Sequence, residues 1–165
     1  LAYILTECKA PGQELIWKLT ETLWKETGKL WLDIFIEVIL GCGLSNYLVD
    51  NEVPDTGLNR LFLIIVSESA YLIWKMQCEW IIKYEGQLDK HPSAPKVTAK
   101  WRSTISKWIQ FKIIASNSGR FKNKVIPFKL VEKTWGKLLK TESLHSLRMQ
   151  DITRFLVGIG LDNPP

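Results

Sequence analysis

Apolar residues recur at helical spacing over most of the chain, and the longest such stretch covers residues 58–84. One of its stripes consists of Leu61, Ile65, Leu72 and Met76. Further apolar residues extend the surface almost all round, which is typical of a core helix that other helices surround. Thr56 is the predicted N-cap of this helix, and Gly86 is the predicted residue just past its C-terminal end.

Turn residues and apolar spacing predict two helices before this central one. The first opens at Pro11 and Gly12 and ends at Gly28. Its apolar face is formed by Leu15, Ile16, Leu19 and Leu23, with Trp17 and Trp24 beside it. Asp33 is the predicted cap of a short second helix that ends near residue 40. A short strand is predicted over residues 1–8, and a loop is predicted over residues 45–57.

Two more helices are predicted after the central one, over residues 95–115 and 127–139. The inward stripe of the former is Val97, Trp101, Ile105 and Trp108. The inward residues of the latter are Phe128, Val131, Trp135, Leu138 and Leu139. Residues 155–159 predict a short docking strand. The expected fold is therefore mainly α, one helical domain over residues 1–165, with four to five helices around one long central helix.

Charges and cysteines narrow the class of protein. Glu68 and Lys75 interrupt the apolar run of the central helix, so we expect a soluble core helix and no contact with a membrane. The first residues do not form a signal peptide, and because the chain starts at Leu1 without an initial Met, we expect a piece of a longer product or a trimmed one. Cys8, Cys42 and Cys78 are odd in number and widely spaced, which argues against a disulfide framework and a zinc site. We expect an intracellular protein, cytoplasmic or nuclear.

No constellation of catalytic residues is present in the sequence. Glu68 lies in an apolar surface, but no partner carboxylate, histidine or nucleophile follows it at helical spacing. We expect neighbouring hydroxyls, Arg60 or Lys75 to satisfy it. His91 and His145 are isolated, which disfavours proton transfer and metal binding. The sequence therefore predicts no enzyme activity and no cofactor.

Charge is distributed unevenly along the chain. Residues 1–95 carry 8 Lys and Arg against 13 Asp and Glu, whereas residues 96–140 carry 12 against one. Such a basic block can neutralise phosphates of RNA or single-stranded DNA, while its interleaved aromatic residues stack on bases. The candidate contacts are Lys100, Lys107, Lys112, Arg120, Lys122 and Lys124. The alternative is that these side chains form solvated helix faces or pair with the acidic first half.

Four stretches carry a resemblance to a known family. They are ILTEC at 4–8 with IWKL at 16–19, ILGCGL at 39–44, SESAYLIWK at 67–75, and KLV at 129–131 with Thr134 and Trp135. Their order and spacing resemble the C-terminal region of fungal (basidiomycete) non-LTR retrotransposon polyproteins, downstream of reverse transcriptase and RNase H. The resemblance covers nearly the whole chain, and its central stretch is the most specific part.

The resemblance implies a non-catalytic segment. Cys8 matches the last ligand of a zinc-binding-like segment of which residues 1–8 are the end. Tyr3 stands where that segment has its His, and the segment's CxxC would precede Leu1, so no metal site is implied here. The polymerase and RNase H carboxylates would lie in upstream domains of the parent polyprotein, which are the expected partners.

Departures from the family pattern imply a decaying copy. Tyr71 stands in place of a His, and Gln77, Trp80 and Trp108 each stand in place of an Arg. These changes, like that at Tyr3, are each reachable by one C→T or G→A transition, which is the trace of cytosine deamination. The resemblance thus implies a degenerate fragment without activity and with reduced solubility. The alternative is a nucleic-acid-binding module that uses residues 96–140.

Overall fold

The computed structural model describes residues 1–8, 12–49, 52–116, 125–139, 152 and 155–156. Its helices are α1 (Gln13–Lys25), α2 (Ile36–Leu40), α3 (Thr56–Tyr84), α4 (Ala94–Ala115) and α5 (Phe128–Leu139). Single turns of π- or 3₁₀-helix cover Tyr3–Glu7, Cys42–Leu44 and Leu88–Lys90. Two antiparallel strands, β1 (Leu48–Val49) and β2 (Val53–Pro54), pair Leu48 with Pro54 and Val49 with Val53. The chain is mainly α around one long central helix, as predicted.

α3 is the centre of the packing. It contacts α1, α2, α4, α5 and the turn Tyr3–Glu7, and buried residues of these elements form one hydrophobic cluster. At 1.5 Å per residue it is roughly 44 Å long. By length and composition α3 could cross a membrane, a property that core helices share, and 56% of its most apolar window is buried. That α3 belongs to a soluble protein remains a prediction.

The predicted N-cap of α3 is wrong by one residue. Thr56 is already helical, and the carboxylate of Asp55 caps the helix by accepting the N–H groups of Gly57 and Leu58, each at 3.0 Å. A carboxylate at this position also favours the positive end of the helix dipole. The position predicted for Gly86 is confirmed, although Glu85 before it is the first residue with positive φ.

The N-terminal segment is helical where a strand was expected. In the turn Tyr3–Glu7 the N–H of Cys8 donates to the carbonyl oxygen of Tyr3 over 2.7 Å. The carbonyl oxygen of Leu5 accepts from the Gln13 side chain at 2.9 Å and from the Trp17 indole at 2.8 Å. These side-chain donors from α1 hold the turn in place of the backbone partners that a strand would need.

Three other predictions differ from the structure. α2 begins after Phe35, whose side chain makes no capping bond, so the exposed Asp33 is not the cap. The predicted loop at 45–57 contains β1 and β2. Within the predicted strand at 155–159, Phe155 and Leu156 are helical, and the rest lies outside the described residues.

The inward stripe of α4 ends on a different residue from the one expected. Val97, Trp101 and Ile105 are fully buried, and Ile109 continues the stripe at the same spacing of four. Trp108 lies to one side of this stripe and is half-buried. Spacings of three and four both fit a helix, and the sequence alone did not separate them.

A buried polar cluster joins α1, α3 and α4. The hydroxyls of Thr20 and Ser69 lie 2.6 Å apart, and the Trp101 indole N–H approaches each of them at 3.2 Å. Because Thr20 donates to the carbonyl oxygen of Ile16, its hydroxyl accepts from Ser69. Ser69 is therefore unavailable to the half-buried Glu68, contrary to one of our expectations.

Candidate nucleic-acid interface

An open groove of about 450 Å³ runs between α3 and α4. We call it the basic groove. It is lined by Leu72, Lys75, Met76, Lys96, Ala99, Lys100, Ser103, Thr104 and Lys107. Four of these described lining residues are lysines and none is acidic, while two carry hydroxyls and three are apolar. The groove therefore combines a positive rim with a partly apolar floor.

The amphipathic pattern of α4 explains the row of lysines. Lys96, Lys100 and Lys107 follow one another at spacings of four and seven, so they share one face of the helix. Another face of α4 carries Val97 and Trp101, which are buried against α1 and α3. Burial of that apolar stripe forces the lysines outward, toward the groove.

One carboxylate lies beside this row. Glu79 Oε2 is 2.7 Å from Lys100 Nζ, and both side chains are about one-third exposed. The hydrogen bond from Lys100 lowers the pKa of Glu79, and the charges of Lys100, Lys83 and Lys96 lower it further. Glu79 is consequently ionised at neutral pH, in surroundings where positive charge predominates.

The two helices that form the groove also carry exposed aromatic rings. On α3, Tyr71 is 55% exposed and Trp74 is 43% exposed, and they precede Lys75 by four residues and by one residue. On α4, Phe111 follows Lys107 by one turn and is 58% exposed. Exposed rings next to lysines suit single-stranded nucleic acid, because bases can stack on the rings while phosphates meet the ammonium groups.

The structure brings together two of the six predicted contact residues. Lys100 and Lys107 line the basic groove, but Lys112 does not. The ammonium of Lys112 lies 4.6 Å from the centre of the Trp108 ring, and burial together with the charge of Arg60 lowers its pKa. The other three candidates, Arg120, Lys122 and Lys124, lie outside the described residues.

Sequence reasoning missed two residues of the groove. Lys96 belongs to the basic block, and its spacing of four from Lys100 was a usable signal. Lys75 lies in the acidic half of the chain, so counting charges by segment did not identify it as a candidate contact. Only the packing of α3 against α4 places Lys75 opposite the lysines of α4.

The alternative of internal pairing also holds for part of the basic block. Besides the pair of Lys100 with Glu79, Lys137 Nζ lies 3.1 Å from Asp55 Oδ2. Two lysines of residues 96–140 thus pair with acids of the first half. Within the described residues, no ion pair involves Lys75, Lys96 or Lys107.

The remaining candidate residues do not form a chemical site. The ring of His91 stacks on Trp80 at 4.3 Å between centroids, and His145 lies outside the described residues. Cys8, Cys42 and Cys78 are free thiols. Across the described part of the chain, no three His, Cys, Asp or Glu residues are grouped so that they could hold a metal ion. No protein-family model, curated protein or solved structure matches this chain.

Proposed function

We propose that this chain is a non-catalytic module that binds single-stranded nucleic acid, RNA or DNA, in the basic groove. The observation that carries this proposal is the set of four lysines that line one groove without a described acidic lining residue. Exposed rings at Tyr71, Trp74 and Phe111, on the two helices that form the groove, offer stacking surfaces for bases.

Counterion release makes the proposal quantitative. Each phosphate that a lysine neutralises contributes about −0.7 to the slope of log affinity against log salt for a single strand. The three groove lysines that form no ion pair within the described residues, Lys75, Lys96 and Lys107, therefore predict a slope of about −2. A groove that bound by stacking alone would show a slope near zero.

A charge-reversal pair with a matched control tests the groove. Binding of labelled oligouridylate and oligothymidylate of about 16 nucleotides is measured by fluorescence anisotropy over a salt series. The test variant is Lys96→Glu with Lys107→Glu. The control is Lys129→Glu with Lys133→Glu, which changes two exposed lysines of α5 and gives the same net charge.

We expect the groove variant to lose at least about tenfold in affinity, because two phosphate contacts become repulsive, and the control to stay within about threefold. An equal loss in both variants would show that net charge and not the groove governs binding. Undetectable binding by the unmodified protein would refute the proposal.

We also propose, as a second candidate, that the chain is a degenerate C-terminal segment of a retroelement polyprotein. The five positions at which the chain departs from the family pattern by a C→T or G→A transition lie outside the core, which supports this origin. Tyr3 is 60% exposed and Tyr71 is 55% exposed, while Gln77, Trp80 and Trp108 are half-buried. A histidine or arginine side chain at such a position stays in contact with water, so a charged ancestral residue there would have lowered the stability of the fold only slightly.

Restoring arginine tests the second candidate. Gln77 and Trp80 line a small cavity that shares Met76 with the basic groove. The double variant Gln77→Arg with Trp80→Arg should therefore remain folded, gain solubility and bind the same oligonucleotides more tightly. A loss of cooperative melting would contradict this origin, as would coding DNA whose substitutions are spread evenly over all base changes.

A further inference from the structure

We propose that Glu79 is a specificity-determining residue of the basic groove: its carboxylate occupies the anion position at Lys100, which excludes single phosphates and admits strands of several phosphates. This inference rests on the proposed function, since it concerns the ligands that the same groove selects.

The geometry places a carboxylate where a phosphate would bind. Glu79 Oε2 lies 2.7 Å from Lys100 Nζ, the distance of a charge-assisted hydrogen bond. Lys100 is also one of the four lysines that line the groove. A phosphate oxygen that reaches Lys100 must therefore displace Glu79 and gains little net energy from this lysine.

The displaced carboxylate has another partner close at hand. Lys83 lies four residues after Glu79 on α3, on the same face of the helix, and its charge already acts on Glu79. The carboxylate can therefore move from Lys100 to Lys83 without losing all favourable charge. Displacement is thus feasible for a ligand that gains enough from other contacts.

Only a polyanion gains those contacts. Lys75, Lys96 and Lys107 form no ion pair within the described residues, so no salt bridge has to break before they contact the phosphates of a strand. Inorganic phosphate contacts only one or two of these lysines. Water and salt ions screen most of the attraction between it and the lysines. Glu79 thereby favours ligands that span the row.

The variant Glu79→Gln tests this role, with Glu37→Gln on α2 as the matched control. Glu37 is exposed and forms no ion pair within the described residues, whereas Glu79 pairs with Lys100, and both variants remove one negative charge. Binding of labelled oligouridylate is measured over a salt series, and inorganic phosphate is added as competitor. Thermal melting shows that each variant is folded.

We expect Glu79→Gln to bind oligouridylate about two- to fivefold more tightly, because an exposed pair of this kind is worth at most about 1 kcal/mol. The salt slope should become steeper by about 0.7, since one more phosphate is neutralised. Inorganic phosphate should compete at lower concentration against Glu79→Gln than against the unmodified protein or Glu37→Gln.

The outcomes separate this inference from the proposed function. If the unmodified protein binds the strand and Glu79→Gln binds equally or less tightly, Glu79 does not restrict the groove and the inference is overturned. Tighter binding without greater sensitivity to inorganic phosphate also overturns it. If neither protein binds, the proposed function itself fails.

Discussion

Two clefts of similar volume, one along α3 and one at its N-terminal end, differ in charge. The basic groove has about 450 Å³ and is formed with α4, whereas a cleft of about 470 Å³ is formed with α5 and the strands. This second cleft, which we call the α5 cleft, is lined by Val49, Val53, Pro54, Asp55, Thr56, Glu132, Lys133, Gly136 and Lys137. It holds two lysines and two acids, and Lys137 pairs with Asp55.

The contrast is that two clefts of nearly equal volume, both lined by lysines, differ in their balance of charge. Both clefts are open and both take lysines from the basic block. In the α5 cleft the acids balance the lysines, so the field that a phosphate would meet is weak. In the basic groove the lysines are in excess, and that excess is the basis of the proposed function.

The largest expected effect is on stability and concerns Trp101, the side chain that anchors α4 to α1 and α3. Trp101 is fully buried, and its indole N–H is bonded to both Thr20 and Ser69. Trp101→Ala should lower the free energy of unfolding by about 3–5 kcal/mol, since it leaves a large cavity and removes the N–H that the two hydroxyls accept. Urea unfolding measures this loss, and Trp74→Ala on the exposed face of α3 is the control. A loss below about 1 kcal/mol would contradict the anchoring role.

The cap of α3 in the α5 cleft should have a smaller effect. Asp55→Ala should cost about 1 kcal/mol, whereas Asp33→Ala, at the predicted cap that the structure does not use, should cost nearly nothing. Burial raises the pKa of Asp55, but the N–H of Leu58, Lys137 and the N–H of Gly57 together bring it below the ordinary value.

The lowered pKa of Asp55 fixes the sign of the pH dependence. Its carboxylate contributes stability above the unfolded pKa of about 4, and this contribution is lost as the pH falls through the lower folded pKa. Urea unfolding between neutral and acidic pH should show this loss in the unmodified protein and a shallower loss in Asp55→Ala. Identical pH profiles would contradict the assignment.

Reversing one charge should make the α5 cleft resemble the basic groove. Glu132→Lys leaves Asp55 as the one acid among the described lining residues, beside three lysines. In the background Lys96→Glu with Lys107→Glu, it should raise oligouridylate affinity about threefold. The control is Glu37→Lys in the same background, which adds the same charge on α2. Equal gains would mean that excess charge in a cleft is not what binds the strand.

The smallest effect is expected at Lys112. Because its ammonium lies over Trp108 and away from the groove, Lys112→Gln should change oligouridylate affinity by less than about twofold. Lys107→Gln, the same change inside the groove, should cost more in the same anisotropy assay. A larger loss at Lys112 would extend the interface toward the C-terminal end of α4.

The sequence was sufficient for the helices but not for the groove. The spacing of apolar residues predicted α3, α4 and α5 to within two residues at each end, because burial of one stripe is a local property of a helix. The basic row on α4 follows from the same periodicity. The position of Lys75 across the groove does not follow from this periodicity, because Lys75 lies close to that row only through the packing of α3 against α4.

The errors share a physical cause. The turn at Tyr3–Glu7 depends on donors from Gln13 and Trp17, and the choice of Ile109 over Trp108 depends on which neighbours α4 meets. The N-cap of α3 is Asp55 and not the predicted Thr56. This difference of one residue lies within the usual uncertainty of helix ends. Each outcome was decided by a contact distant in sequence or by a small energy difference.

The polar cluster of Thr20, Ser69 and Trp101 also constrains the order in which the chain can fold during synthesis. Ser69 lies 49 residues after Thr20, and Trp101 lies 81 residues after it. When α1 and α3 have left the ribosome, their two hydroxyls can pair, but the space that the indole fills is still empty. The nascent chain therefore exposes part of the apolar surface of α3 until α4 and then α5 pack against it, and during that interval it is open to chaperones and to aggregation.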